Sequence, residues 1–372
     1  MKKRNILLFG IIPIAAGLTA GIATLIINPN VGRNIGEIIY SKGQDTEGFS
    51  YAVAKAAPSV VNIYVQRLNN NYSSATADAA EIMTSASGVI MTENGYIVTN
   101  YHVIPSVIEP NTSIWAQQHN GKIHQAFVVG YDRRTDIAVL KINASDLPPI
   151  PINLKETPQV GDIALTIGNP NNLGQTVTHG IVSATARTGS GLLTRDQMNI
   201  REGLQDLIQT DAPINQGNSG GALVNSKGYL IGINTASFNN YQYGVYGIGF
   251  AVPTKLVVYV LDEIIKHGRV IRGYLGISDD GTQPLSEQFS VGIRIGYIDP
   301  LGPAATSDLK VGDVIIEVDG KKIGNLRSLI DSISSTRPGT VMTFKVLRKN
   351  DKGEEKIKTV DITLTEDKAN ID

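Results

Sequence analysis

The chain contains no cysteine. That absence excludes disulfide scaffolds, thiol catalysis and thiolate metal sites together. It does not fix the compartment, because 372 residues can bury an adequate core without cross-links. Charge is also scarce. Asp, Glu, Lys and Arg make up 18% of the residues, below the roughly 25% of an average soluble domain. The 33 Lys and Arg nearly balance the 34 Asp and Glu, leaving a net charge of −1. Such a balance argues against nucleic-acid binding through bulk charge. What is present is apolar and small. A hydrophobic content of 42% excludes a disordered chain. The 38 glycines are about 10% of the chain, against a usual ~7%. The length suggests two domains plus something small.

The small part is at the front. Residues 6–27 read ILLFGIIPIAAGLTAGIATLII, 22 residues without a charge. At ~1.5 Å per residue such a helix crosses a ~30 Å hydrocarbon core. Lys2, Lys3 and Arg4 precede it, so the positive-inside rule places residues 1–5 in the cytoplasm and the rest outside. The rival reading is a cleaved signal peptide. Its apolar region would be shorter and would end in a small-x-small site, which this run does not offer cleanly. An uncleaved transmembrane anchor is therefore favoured, and either reading exports the body of the protein. Residues 28–46 are polar and rich in Gly and Asn, and read as a linker.

From about 50 to 252, short β-branched runs alternate with turn signals. They fall at 60–65, 88–91, 96–99, 114–118, 126–129, 138–142, 163–167, 180–186, 222–224, 230–234 and 249–252. Asn94-Gly95 and Asn120-Gly121 each sit between two runs, a strong hairpin signal. Regular strand spacing without long helices points to antiparallel barrels or a sandwich. Residues 68–84 read as a polar surface loop. Pro253 opens a helical stretch in which Leu256, Val260, Leu261 and Ile264 recur at helical spacing, with Gly268 as its stop. A second unit follows from about 272, with strands near 275–278, 291–298, 313–318, 341–348 and 357–364 and one helix over 326–335.

Three segments carry chemistry: Thr99-Asn100-Tyr101-His102-Val103, Arg134-Thr135-Asp136 running into an apolar strand, and Gly217-Asn218-Ser219-Gly220-Gly221. A serine hydroxyl is a weak nucleophile and needs a base within hydrogen-bond reach. The base needs a buried acceptor that holds its tautomer. Acyl transfer also needs backbone N–H groups aimed at the developing oxyanion. Glycines around Ser219 let the N–H groups of Gly217 and Ser219 converge. Of five histidines, His119 and His124 flank a hairpin, His179 lies beside a strand, and His267 ends a helix, where a cation is favourable. Only His102 closes a strand after a small polar pair. Gly217-x-Ser219-x-Gly221 also fits the nucleophile elbow of α/β-hydrolases. That motif requires a following helix and the order Ser, acid, His. Here a strand follows, and the order is His102, Asp136, Ser219.

These segments resemble the HtrA family of serine proteases, and Gly168-Asn169-Pro170 and Gly249-Phe250-Ala251-Val252-Pro253 fit it too. The resemblance covers about 50–255 and implies a mainly β fold, a chymotrypsin-like pair of six-stranded barrels. It makes His102 the general base, Asp136 its orienting acid and Ser219 the nucleophile. The oxyanion hole falls on Gly217, Asn218 and Ser219, with the N–H groups of Gly217 and Ser219 as donors. Ile214 and Thr235, Ala236, Ser237 and Phe238 are expected to line the specificity pocket. No metal or cofactor is implied.

The C-terminal unit resembles a PDZ domain (α+β). Tyr274-Leu275-Gly276-Ile277 matches the loop that captures a peptide carboxylate, and the next strand would pair with the peptide opposite helix 326–335. The expected division is 1–5 cytoplasmic, 6–27 transmembrane, 28–46 linker, 47–268 protease and 269–372 PDZ. One anchor, one protease and one PDZ is the arrangement of the family's membrane-tethered branch. It implies a homotrimer in the bacterial inner membrane, facing the periplasm, with Phe49 and Tyr51 as trimer contacts. It further implies activation by C-terminal peptides of misfolded outer-membrane proteins, and cleavage of a transmembrane anti-sigma factor. Arg187 matches a regulatory sensor arginine. Family members place an aromatic after Gly-Asn-Pro, and this chain has Asn171.

Overall fold

The computed structural model describes residues 48–67, 81–104, 112–169, 174–187, 207–215, 217–240, 245–279, 292–350 and 353–368. The proposed anchor and linker therefore lie outside the described residues. Among those described, no helix is long and apolar enough to cross a membrane. Ala52–Asp372 form one compact unit.

Six antiparallel strands close the first barrel: β1 (Val60–Arg67), β2 (Glu81–Ile90), β3 (Tyr96–Asn100), β4 (Thr112–Gln117), β5 (Ile123–Asp132) and β6 (Ile137–Ile142). Their order around it is β1-β2-β3-β6-β5-β4. Apolar residues fill its interior, among them Ile63, Ile90, Ile97, Ile114 and Leu140. Both Asn-Gly pairs sit in turns, with φ of 98° at Gly95 and 84° at Gly121, a region that favours glycine. The second barrel comprises β7 (Ile163–Gly168), β8 (Thr176–Arg187), β9 (Leu207–Thr210), β10 (Ala222–Asn225), β11 (Leu230–Asn240) and β12 (Val245–Pro253). Its order is β10-β11-β12-β9-β8-β7. Closure leaves neither sheet an edge to protect. Eleven of these twelve strands coincide with the β-branched runs. The twelfth, β9, is only LIQT. The polar loop read over 68–84 is also too long, because β2 begins at Glu81 and pairs along β1.

Among the described residues, helix α1 (Ser50–Ala56) precedes the barrels and α2 (Thr254–His267) follows them. Helix α2 buries Val257, Val260, Leu261 and Ile264 on one stripe and stops at Gly268, whose N–H donates to the Ile264 carbonyl at 2.8 Å. The C-terminal unit adds β13 (Gly273–Tyr274), β14 (Ile277–Asp279), β15 (Ile293–Ile298), β16 (Val314–Val318), β17 (Lys321–Lys322), helix α3 (Leu326–Ser335), β18 (Val341–Lys349), β19 (Glu355–Thr363) and β20 (Thr365–Glu366). Its main sheet runs β14-β15-β16-β18-β19, and β13 pairs with β20. Asn325 caps α3 by accepting the Ser328 N–H at 2.9 Å. Leu329 and Ile333 of α3 join Leu275, Ile295, Ile315 and Phe344 in the core.

Strand β5 meets α2 where it must lie closest. The register slips between Val128 and Gly130, and a Cβ on Gly130 would stand 2.2 Å from the Gly268 carbonyl oxygen and 2.9 Å from Ile264 Cγ2. Backbone cannot yield as a flexible side chain would. Gly130→Ala is therefore expected to cost about 1–3 kcal/mol of unfolding free energy, the range for overpacking a filled site. Thermal denaturation checks this. A loss below about 0.5 kcal/mol, the scale of a neutral surface change, would show that the contact is slack.

Candidate active site

Strand β3 ends at Asn100, and a single 3-10 turn (Tyr101–Val103) carries His102 over the start of β6. Asp136 precedes β6 with a φ of 56°, a left-handed conformation that Asp tolerates better than most residues. Its carboxylate is buried, and burial of an ion is tolerable only when it is well paired. It accepts from His102 Nδ1 at 2.7 Å, from the His102 N–H at 3.0 Å and from Thr235 Oγ1 at 2.6 Å. The Asp136 carbonyl accepts from the Tyr101 N–H and from Asn100 Nδ2, both at 3.0 Å. Because an ionised carboxylate only accepts, the bond to Nδ1 fixes the tautomer and leaves His102 Nε2 free to take a proton. Burial pushes the His102 pKa down, but the hydrogen bond and charge of Asp136 outweigh it, and the result lies above the ordinary 6.5.

The glycine-rich turn comes from the second barrel. Gly217 has φ 98° and Gly220 φ 80°. The N–H groups of Asn218, Gly220 and Gly221 are spent on the carbonyls of Asn215, Asn234 and Asn218. Those of Gly217 and Ser219 have no acceptor among the described residues. The first barrel braces this turn through Ser87 of β2. Its Oγ donates to the Gly217 carbonyl at 2.7 Å and accepts the Asn169 N–H at 2.9 Å, and its N–H donates to the Ser219 carbonyl at 2.9 Å. Ser219 Oγ itself donates to the Thr235 carbonyl at 3.5 Å, and no hydrogen bond joins it to His102. The structure thus joins His102 to Asp136 and brings Ser219 to the same barrel interface through Thr235.

Thr235 is one of the residues expected along the specificity pocket. It is buried, and its hydroxyl is committed to Asp136. Ile214 is buried and packs where a Gly249 side chain would be, its Cδ1 2.8 Å from the position of a Cβ. Asn218 is buried. Ala236, Ser237 and Phe238 continue along β11, but their side chains lie outside the description. Arg187 ends β8 opposite Leu207, its side chain likewise not described. Asn171 lies outside the described residues. Tyr51 is 54% exposed, and Phe49 is half-buried.

The loop before Asp136 is also gripped by the C-terminal unit. Arg272 donates both terminal nitrogens to Asp132, at 2.6 and 2.7 Å, and both side chains are buried. Thr135 Oγ1 adds a third bond to Asp132 at 2.5 Å. Arg134 pairs with Asp367 at 2.5 Å. On α2, Glu263 takes a bidentate contact from Arg337 at 2.9 and 3.0 Å. The sequence reading took in only Arg134, Thr135 and Asp136 of this segment, and gave a role to Asp136 alone. The signal that could have extended it is five polar or charged residues, Asp132 to Asp136, in a chain poor in charge. In the C-terminal unit, Gly276 has φ 79°, and Tyr274 Oη donates to Asp299 Oδ2 at 2.6 Å. Tyr274, Leu275, Gly276 and Ile277 head a groove of about 180 Å³ between β14 and α3.

Comparison with known proteins agrees with this layout. Residues 86–233 match a trypsin-like peptidase domain and 273–364 a PDZ domain. Over 366 residues the chain is 42% identical to the serine endoprotease DegS of Salmonella typhimurium, covering 95% of this chain and 96% of that one. It is 37% identical over 287 residues to a probable periplasmic serine endoprotease, DegP-like, of Chlamydia trachomatis, covering 75% of this chain and 53% of that one. Among solved structures it is similar to the serine endoprotease from Yersinia pestis, at 43% identity and TM-score 0.66, covering 86% and 98% of the two chains. It is also similar to the HtrA-type protease AlgW with tripeptide, at 38% and 0.72, covering 86% and 97%.

The two opposing influences on His102 make a signed prediction. An NMR titration of its ring should give a midpoint above 6.5. In Asp136→Asn only the burial penalty remains, so the midpoint should fall below that value. Because the folded pKa is raised, the pair's contribution to stability is full at pH values below the unfolded pKa. It is lost as pH rises through the folded one. A midpoint that Asp136→Asn left unmoved would show that the carboxylate does not control the ring.

Proposed function

This chain belongs to the HtrA family of serine endoproteases, and from that premise we propose that it is a DegS-type regulatory protease, anchored in the bacterial inner membrane and switched on by peptide C-termini. The observation that carries this reading is the Asp132–Asp136 loop. At one end it holds the His102–Asp136 pair, and at the other it is clamped to the PDZ domain through Arg272. Chemistry and peptide groove are therefore linked through five residues.

The mechanism follows from the groups available. Ser219 Oγ turns from the Thr235 carbonyl toward His102 Nε2 and attacks the scissile carbonyl as the proton passes to the imidazole. Asp136 stabilises the imidazolium without taking its proton. The N–H groups of Gly217 and Ser219, on either side of Asn218, receive the oxyanion. His102 then returns the proton to the leaving amine, and water repeats the sequence on the acyl-enzyme. Ile214 and the β11 stretch Thr235–Phe238 supply the wall against which the substrate side chain is chosen.

Residues 6–27 anchor the chain, 28–46 tether it, 47–268 form the protease domain and 269–372 the PDZ domain. Phe49 and Tyr51 hold a homotrimer. The loop Tyr274–Ile277 takes the terminal carboxylate of a misfolded outer-membrane protein, β14 pairs with its backbone, and Arg187 helps relay occupancy to the active site. The substrate is the periplasmic part of a transmembrane anti-sigma factor. Activation requires only that the peptide bind the active state better than the resting one. Support comes from the DegS relatives, matched over nearly their whole length, and from AlgW, solved with a tripeptide and with a decapeptide. A soluble quality-control protease with a cleaved signal peptide is the second reading, favoured by the DegP-like relatives.

Ser219→Ala should lower proteolysis of an unfolded test protein by at least about 10³-fold, as loss of a triad nucleophile does. Unchanged cleavage would reject the site. A peptide with a free C-terminus should stimulate cleavage, and its C-terminal amide should not. Equal stimulation by both would reject carboxylate capture. The full-length chain should stay with membranes after an alkaline wash. A mature form beginning after residue 20 in the soluble fraction would instead support the second reading.

A further inference from the structure

The carboxylate-loop end of the PDZ groove contains a side chain that the PDZ domain does not supply. Arg134 belongs to the protease domain, two residues before Asp136, yet it lines the groove beside Gly273, Tyr274, Leu275, Gly276 and Asp367. Its guanidinium pairs with Asp367 at 2.5 Å and remains about a third exposed, at 32%. Its Nε is buried without a hydrogen-bond partner among the described residues. Burial and its hydrogen bond to the Asp299 carboxylate push the Tyr274 hydroxyl up to about 12. Asp367 adds to that push and Arg134 opposes it, which places both charges near this tyrosine.

A guanidinium has five donors and no acceptor, and it recognises a carboxylate in two-pronged fashion. Here one carboxylate, that of Asp367, already occupies part of it, and about a third of the side chain is open to solvent. Elsewhere the groove wall carries apolar Ile277, Ile293, Leu329 and Ile333, with Asp279 and Arg294 among its polar residues. An entering peptide terminus therefore meets a cation next to backbone N–H groups, with an internal anion as competitor. We propose that Arg134 is a specificity-determining residue of the PDZ groove, contributed by the protease domain, which reads the free carboxylate of the bound peptide in competition with Asp367.

This inference rests on the reading of the groove as a site for peptide C-termini, and the test separates the two. The probe is fluorescein-labelled Ser-Gly-Ser-Ala-Val-Phe, as the free acid and as the C-terminal amide, titrated by fluorescence anisotropy against the full-length protein in detergent. Wild type should prefer the acid. Arg134→Gln should weaken acid binding about tenfold, the usual consequence of losing a charge-assisted contact, and change amide binding less than about twofold. Asp367→Asn removes the competitor and should tighten acid binding, by about two- to fivefold for a partly exposed pair. The double variant should behave like Arg134→Gln alone, and Arg134→Lys should retain part of the preference. If wild type does not bind the acid, or binds both probes equally, the carboxylate-capture reading fails and this inference with it. If wild type prefers the acid and Arg134→Gln keeps the full preference, only the role of Arg134 is overturned. If Arg134→Gln and Asp367→Asn weaken both probes alike, the pair is structural and the inference is overturned too.

Discussion

Asp132 is a fully buried carboxylate whose partner, Arg272, lies 140 residues away at the edge of the matched PDZ segment, and much of the molecule's behaviour is constrained by that fact. A lone ion in such a place loses several kcal/mol of hydration. Arg272 meets it with two short, parallel bonds, and Thr135 takes a further lone pair. Burial works against the charge on Arg272, but its bond to Asp132 prevails and its pKa is raised, so the guanidinium stays charged. Withdrawing one partner from a buried pair of this kind leaves an uncompensated charge and costs about 3–5 kcal/mol. The PDZ domain and the Asp132–Asp136 loop therefore part only rarely. Any rearrangement must either carry the loop along or provide Asp132 with another cation.

The same requirement operates four residues later. Asp136 is also buried, and its partners come from three separate stretches: the 3-10 turn after β3, strand β11 and the end of β3 itself. Two of these belong to the first barrel and one to the second. Ser87 repeats the arrangement in reverse, reaching from the first barrel to the carbonyls of Gly217 and Ser219. The barrels are thus pinned together at the point where acid, base and nucleophile meet. A small shift between them would break directional bonds on both sides.

The two barrels were legible in the sequence because closed antiparallel sheets write their strands as apolar, β-branched runs between turn residues. The pairs Asn94-Gly95 and Asn120-Gly121 marked two hairpins correctly for the same reason. Strand β9 has four residues, and the first half of β2 holds only Ile82 and Met83 among polar residues, so neither makes a run strong enough to count. The two-residue strands β13, β17 and β20 are ladder contacts with no pattern of their own. At the site, residue type and chain order sufficed to single out His102, Asp136 and Ser219. The bond from Thr235 to Asp136 joins residues 99 apart, and that from Arg272 to Asp132 joins residues 140 apart. Periodicity and local motifs carry no information about such pairings. The bond that commits Thr235 to Asp136 and the one that Arg272 makes to Asp132 accordingly passed without notice.

The two halves of the catalytic machinery differ in how firmly they are set. The base is fully assembled: His102 is held by its ring and by its backbone N–H, and its acid is held by further donors. The nucleophile is not, because Ser219 Oγ rests on the Thr235 carbonyl at 3.5 Å, the outer limit of a hydrogen bond. Giving up that contact costs little, and turning a serine about one bond disturbs no packing. Under the proposed switching by a peptide, this division is efficient. The expensive part, a buried ion pair that orients the imidazole, need not be built and dismantled on each activation. What remains to be shifted is an equilibrium between states close in energy, and a ligand of modest differential affinity is enough to move such an equilibrium.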